Sequence, residues 1–148
     1  MKTMNTFLER LRNENLPVVV FDGATGTSFQ SLELSYEDFG GKDLEGCNEQ
    51  LVITSPEIVK QVHREFLEAG ADVIETNTFG ATPVVLSEYN LQEETYNINF
   101  KAAKLAREVI EEFDSNIKPR YVAGSIGPTT KLPTLGHINF DDMEKGYY

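Results

Sequence analysis

Three places in the chain set ligand-holding residue types directly after an apolar run. Asp22, Gly23 and Ala24 follow residues 18–21, VVVF. Glu75, Thr76, Asn77 and Thr78 follow residues 71–74, ADVI, and Gly124 and Ser125 follow residues 121–123, YVA. A carboxylate such as Asp22 seats a cation or takes a proton. The backbone amides of small residues, Gly23 and Ala24 here, can hold a small anion such as a carboxylate. A lone Asp after a strand is most often a turn residue or a helix cap. Three strand ends delivering polar and small residues to one rim shift the balance towards a ligand site, because parallel α/β folds bind ligands at the C-terminal ends of their strands.

Other chemistries lack their residues. Gly23 and Gly26 have no third glycine at the offset a dinucleotide fingerprint needs, and there is no P-loop, so a generic nucleotide-binding domain is the weaker alternative. Cys47, His63 and His137 are scattered, whereas a zinc site draws three or four ligands together, so no metal ligand is assigned. His63 sits in a helical pattern beside Arg64 and reads as exposed or packed rather than ligating. Cys47 reads as a small buried thiol. No nucleophile–base pair stands out, so no catalytic residue is assigned.

The elements that must position these residues follow from periodicity. Residues 18–21 read as a strand buried on both faces. A helix starts at Ser55 and Pro56, shows Ile58, Val59, Val62, Phe66 and Ala69 on one face, and stops at Gly70. Residues 71–77 read as a second strand. Ile98, Ala102, Leu105, Val109 and Phe113 mark a second helix, broken at residues 116–119. Residues 121–124 read as a third strand. Asn139 caps a third helix, with Asp141 and Asp142 in its first turn and Met143 and Tyr147 on its apolar side. Residues 1–16 read as an amphipathic helix before the first strand. The order predicts a parallel sheet with right-handed crossovers. The connection over residues 23–54 is long enough to be functional; residues 27–32 are expected to form a short helix and residues 37–49 either to fold over the rim or to run across the surface.

Composition narrows the partners. The net charge is −11, from 24 acidic and 13 basic residues. Such a surface repels phosphate backbones and anionic bilayers, so neither nucleic acid nor membrane is an expected partner. One cysteine allows no internal disulfide, and the start of the chain has no signal-like apolar stretch, so a cytoplasmic location is expected.

Four stretches in order, DGATGT, EDFGGKDLEGCNEQL, HREFLEAGADVIETNTFGA and RYVAGSIGPTTKLPTLGHINFDD, resemble the homocysteine-binding domain at the N-terminus of cobalamin-dependent methionine synthases, in the homocysteine S-methyltransferase family. The likeness runs from about residue 17 to residue 140. It implies a parallel (β/α)8 barrel of TIM type, of which residues 1–148 supply the first three βα units and stop within the third helix. It implies that homocysteine is methylated to methionine as a thiolate on zinc held by three cysteines, with methylcobalamin as methyl donor in the parent enzyme. By the same resemblance Asp22 binds the amino group of homocysteine, the amides of Gly23 and Ala24 receive its carboxylate, and Thr76, Asn77 and Thr78 line the pocket. The zinc cysteines and a further acid for the amino group are expected beyond Tyr148, with the rest of the barrel and the cobalamin and folate domains as partners. These residues alone are therefore expected to bind no cofactor and to be inactive. Thr25 departs from the usual family residue beside the turn. The remaining alternative is a stand-alone module that assembles through open sheet edges.

Overall fold

The computed structural model describes residues 7–114 and 118–148. Among them, seven α-helices and two strands are ordered as α1 (Phe7–Arg12), α2 (Thr25–Ser31), α3 (Leu51–Thr54), α4 (Pro56–Ala69), β1 (Val73–Glu75), α5 (Pro83–Leu86), α6 (Thr95–Glu111), β2 (Tyr121–Ala123) and α7 (Phe140–Tyr147). β1 and β2 pair in parallel, Val73 opposite Tyr121 and Glu75 opposite Ala123. Helices α4 and α6 cover one face of this small sheet.

The first expected strand is not a regular one. Residues 18–21 touch β1 through a single parallel bridge, Phe21 to Val73. The ladder fails because Val20 is diverted. Its N–H donates to the Asp72 side chain (2.8 Å) instead of a backbone carbonyl, while its carbonyl accepts from both Asp72 and Val73. Nor is this segment buried on both faces. Val18 is 82% exposed, Val20 49% and Phe21 44%. Of the three expected βα units, two therefore have a paired strand, and both strands are shorter than the expected segments, residues 71–77 and 121–124.

Asp72 ties together the end where the strands enter. It is 2% exposed and carries ion pairs to Arg10 and Lys118, both at 3.0 Å. Burial alone pushes its carboxyl up, but the Val20 N–H, Lys118 and Arg10 outweigh this and hold it below the usual carboxylate range. Phe7 packs on Tyr121 and Phe21 beside this cluster. α1 is only six residues long; residues 13–16 are not helical, and residues 1–6 of the expected helix lie outside the described residues.

α4 follows its sequence signals. Pro56 occupies the first turn, and Gly70 closes the helix at φ 112°, a left-handed conformation that suits glycine. Ser55 stands at the cap position, but its hydroxyl donates to the carbonyl of Asp38 (2.8 Å) and not to the helix. The last carbonyls are met by cations, Arg120 donating to Leu67 and Ala71 and Lys118 to Gly70. The buried face is Val59, Val62, His63 and Leu67. Ala69, expected on this face, is exposed instead.

α6 buries Ile98, Ala102, Leu105, Ala106 and Val109, and Phe113 packs at its end. It ends at Glu111, before the expected break, and residues 115–117 lie outside the described residues. In the connection over residues 23–54, the 37–49 stretch is anchored by Phe39 and Cys47 and brings Asn48 and Glu49 to the rim, the first of its two expected courses. Phe29, Phe39, Cys47, Leu51 and Val52 from this connection join Val59, Val62, Ile98 and Ala102 in the main core. Burying a side chain the size of Leu51 or Ile98 stabilises by about 1.5–3 kcal/mol, which holds this segment down. Asn139 caps α7 as its sequence predicts, accepting from the N–H of Asp142 at 2.8 Å. On the expected apolar side of α7, Met143 is half-buried and Tyr147 is 45% exposed, its hydroxyl bonded to the carbonyl of Gly127.

Candidate functional site

The chain leaves the Phe21 bridge with the N–H of Asp22 donating to the carbonyl of Val73 (2.9 Å). This fixes the Asp22 backbone beside β1, and its carboxylate folds back to accept the N–H of Glu75 at Oδ2 (2.9 Å). Oδ1 is buried and has no hydrogen-bond partner among the described residues. Burial, helped by the nearby Glu75 charge, raises the Asp22 carboxyl to about 6 against the pull of backbone N–H groups. The chain then passes close to α4: a β-carbon at Gly23 would lie 3.3 Å from the Phe66 ring. α2 begins at Thr25 with Ala24 at its cap position. No hydrogen bond among the described residues engages the N–H of Gly23 or Ala24.

A second group of residues leaves β1 and β2 together. Thr76 donates its N–H to the carbonyl of Ala123 (2.9 Å). Its hydroxyl accepts the N–H of Ser125 (3.0 Å) and lies 2.6 Å from the Thr78 hydroxyl. Thr78 donates its one proton to the carbonyl of Ser125 (2.8 Å), so Thr76 must be the donor between the two threonines. The result is a closed, directed ring that clamps the backbone of Ser125 at both its N–H and its C=O. The Ser125 hydroxyl is thereby aimed at Glu75 and donates to Oε2 (2.9 Å). The amide of Asn77 donates to the carbonyl of Asn48 (2.7 Å), and Glu49 accepts the N–H of Gly80 (2.7 Å). Gly127 closes the far side through its N–H to the carbonyl of Phe79; a β-carbon there would sit 2.6 Å from that oxygen, so only glycine fits.

These elements enclose a cleft of about 450 Å³ lined by Asp22, Gly23, Ala24, Thr25, Gly26, Asn48, Glu49, Glu75, Asn77, Phe79 and Ser125. Of the residues singled out in the sequence, Asp22, Gly23, Ala24 and Asn77 line it. Thr76 does not; it serves the hydroxyl ring. Thr78 serves the same ring and lines a neighbouring cavity of about 510 Å³ beside α5, α6 and α7. Glu75 and Ser125 were visible at strand ends as polar residues on the rim. Asn48, Glu49 and Phe79 were not, since only the folded path of residues 23–54 brings the first two back.

The cleft carries three carboxylates and no Lys, Arg or His. It therefore suits a cationic group, with the Gly23 and Ala24 amides as the nearest place for an anionic one. It does not suit a metal. Among the described residues, no three His, Cys, Asp or Glu side chains are grouped to hold one. His63 is fully buried, and neither ring nitrogen has a partner. Burial lowers its pKa to about 4. Cys47 is 1% exposed, and burial pushes its thiol up to about 11. No described helix is long and apolar enough to cross a membrane.

Comparison with known proteins agrees with this arrangement. The family model described as homocysteine S-methyltransferase matches residues 19–148. Methionine synthase of Mycobacterium tuberculosis is 45% identical over 130 residues, covering 88% of this chain, and that of Mycobacterium leprae is 44% identical over the same length. The chain spans 11% of the length of each. Among solved structures, the homocysteine methyltransferase MmuM from Escherichia coli, in oxidized and metallated forms, superposes with a TM-score of 0.64 at 24% identity, covering 78% of this chain and 39% of that one. This likeness is one of fold. The parallel α/β core, the cleft at its strand ends and the family match over 130 residues lead to one conclusion: the chain belongs to the homocysteine S-methyltransferase family.

Proposed function

We propose that the chain forms the amino-acid-gripping rim of a homocysteine methyltransferase of the methionine synthase type, built on a (β/α)8 barrel. The observation that carries this reading is Asp22. One of its carboxylate oxygens is anchored by the Glu75 N–H, while the other is buried without a partner in a cleft that holds no basic side chain. A buried carboxylate oxygen left unpaired costs about 1–3 kcal/mol or more. A ligand ammonium placed there removes the penalty. In this reading Asp22 holds the amino group of homocysteine, and the N–H groups of Gly23 and Ala24 receive its carboxylate. Asn77 lines the pocket. Thr76 and Thr78 act indirectly, by fixing the loop that carries Ser125.

Zinc, where bound, would supply thiol activation in this family, but the side chains here do not group to hold it. Zinc and methylcobalamin accordingly belong, in this reading, to other parts of the whole protein, together with the remaining barrel and the cobalamin and folate domains. A cytoplasmic setting fits the single buried thiol.

Calorimetric titration of homocysteine into the full-length protein tests the assignment. Asp22→Asn keeps the shape and removes the charge, and should weaken binding by about 2–5 kcal/mol, the usual cost of breaking a desolvated charge pair. Unchanged affinity would overturn the role given to Asp22.

A further inference from the structure

Asp22 does not face the cleft alone. Of the two other carboxylates in the lining, Glu49 is turned elsewhere: its Oε1 accepts the N–H of Gly80, and its charge acts on Cys47 and Tyr89. Glu75 stands beside Asp22. Its backbone N–H holds Asp22 Oδ2, and its charge acts on Asp22. Its own carboxylate receives the Ser125 hydroxyl, and no other described residue donates to it. Ser125 in turn is clamped at both backbone groups by the Thr76–Thr78 ring. The protein thus fixes two like charges at one strand end without supplying a cation between them. Like charges so placed repel, and a positively charged ligand group relieves the repulsion.

We propose that Glu75 is a further substrate-binding residue, which with Asp22 forms a two-carboxylate seat for the amino group of the bound amino acid, and that Ser125, Thr76 and Thr78 are positioning residues for it. A primary ammonium carries three N–H donors, enough to reach the unpartnered Oδ1 of Asp22 and the Glu75 carboxylate together. The inference rests on the homocysteine reading above and adds to the acid expected beyond Tyr148.

The test compares two ligands on the full-length protein by calorimetry: L-homocysteine, and 4-mercaptobutanoate, which has the same thiol, chain and carboxylate but no amino group. Glu75→Gln should weaken homocysteine about tenfold, as loss of a charge-assisted hydrogen bond does, and leave the affinity for 4-mercaptobutanoate unchanged or improved. Ser125→Ala keeps Glu75 itself and should weaken homocysteine in the same selective way, by less. An equal loss for both ligands would mean that Glu75 only supports the fold, and overturns the proposal. So does an unchanged homocysteine affinity. Asp22→Asn separates the two levels. If Asp22→Asn weakens homocysteine and Glu75→Gln does not, the role of Glu75 alone fails. If neither substitution has an effect, the homocysteine reading fails and takes Glu75 with it.

Discussion

At the scale of single residues, Asp22 trades stability against binding. Its carboxyl titrates near 3.8 in an unfolded chain and near 6 in the folded one. Between these values the folded state keeps a proton that the unfolded state has released, so this group's contribution to stability falls as pH rises from about 4 to about 6. At neutral pH the folded protein carries the full penalty. Asp22→Asn should therefore melt higher at pH 7, by some 2–4 °C for about 1 kcal/mol after allowing for solvent screening, and match the native protein near pH 3.5. A scanning-calorimetry pair at the two pH values checks this; a lower melting temperature at pH 7 would mean that the carboxylate supports the fold. The binding sign is opposite. A ligand ammonium needs the ionised form of Asp22, so homocysteine affinity should be level around neutral pH, where the ligand amine is still protonated, and decline as pH falls through about 6.

At the scale of elements, α4 carries the same conflict in its core. His63 lies four residues from both Val59 and Leu67, on the face that packs inwards, and is fully buried with both nitrogens unsatisfied. Its pKa falls from 6.5 to about 4, so the unfolded chain binds the proton first and stability is lost as pH drops from about 6.5 to about 4. His63→Leu, close in volume and without polar atoms, should be neutral or stabilising at pH 7 and should flatten the loss of melting temperature below pH 6. An unaltered acid profile would point to other groups. The elements also differ in how far the chain announces them. The α4 boundaries were legible because Pro56 and Gly70 act locally, and the faces of α6 because their period is local. Residues 18–21 misled because their pairing depends on Asp72, fifty-two residues beyond Val20, which diverts one ladder hydrogen bond. The strand-end rule located Asp22, Gly23 and Ala24 in the cleft. It did not show that Thr76 and Thr78 turn their hydroxyls to Ser125, because that depends on two loops meeting.

At the scale of the whole molecule, charge and exposed apolar surface oppose each other. Copies of a chain with net charge −11 repel, while Val18, Val20, Phe21, Ile126 and Phe140 offer apolar surface. Salt screens the first and leaves the second. The 148-residue chain should therefore elute as a smaller species at low salt and shift towards larger ones at about 0.5 M, by size exclusion with light scattering; a monomer at every salt concentration would show that these side chains do not associate. The buried thiol offers a way to watch the molecule breathe. Cys47 belongs to the main core, yet its neighbours Asn48 and Glu49 line the cleft. A thiol reagent can reach it only when residues 23–54 lift from α4 and α6, so the labelling rate is a clock for that opening. If the cleft is where the amino acid binds, a saturating ligand without a free thiol, such as L-methionine, should slow the clock, turning the one cysteine into an internal reporter of occupancy that needs no introduced residue.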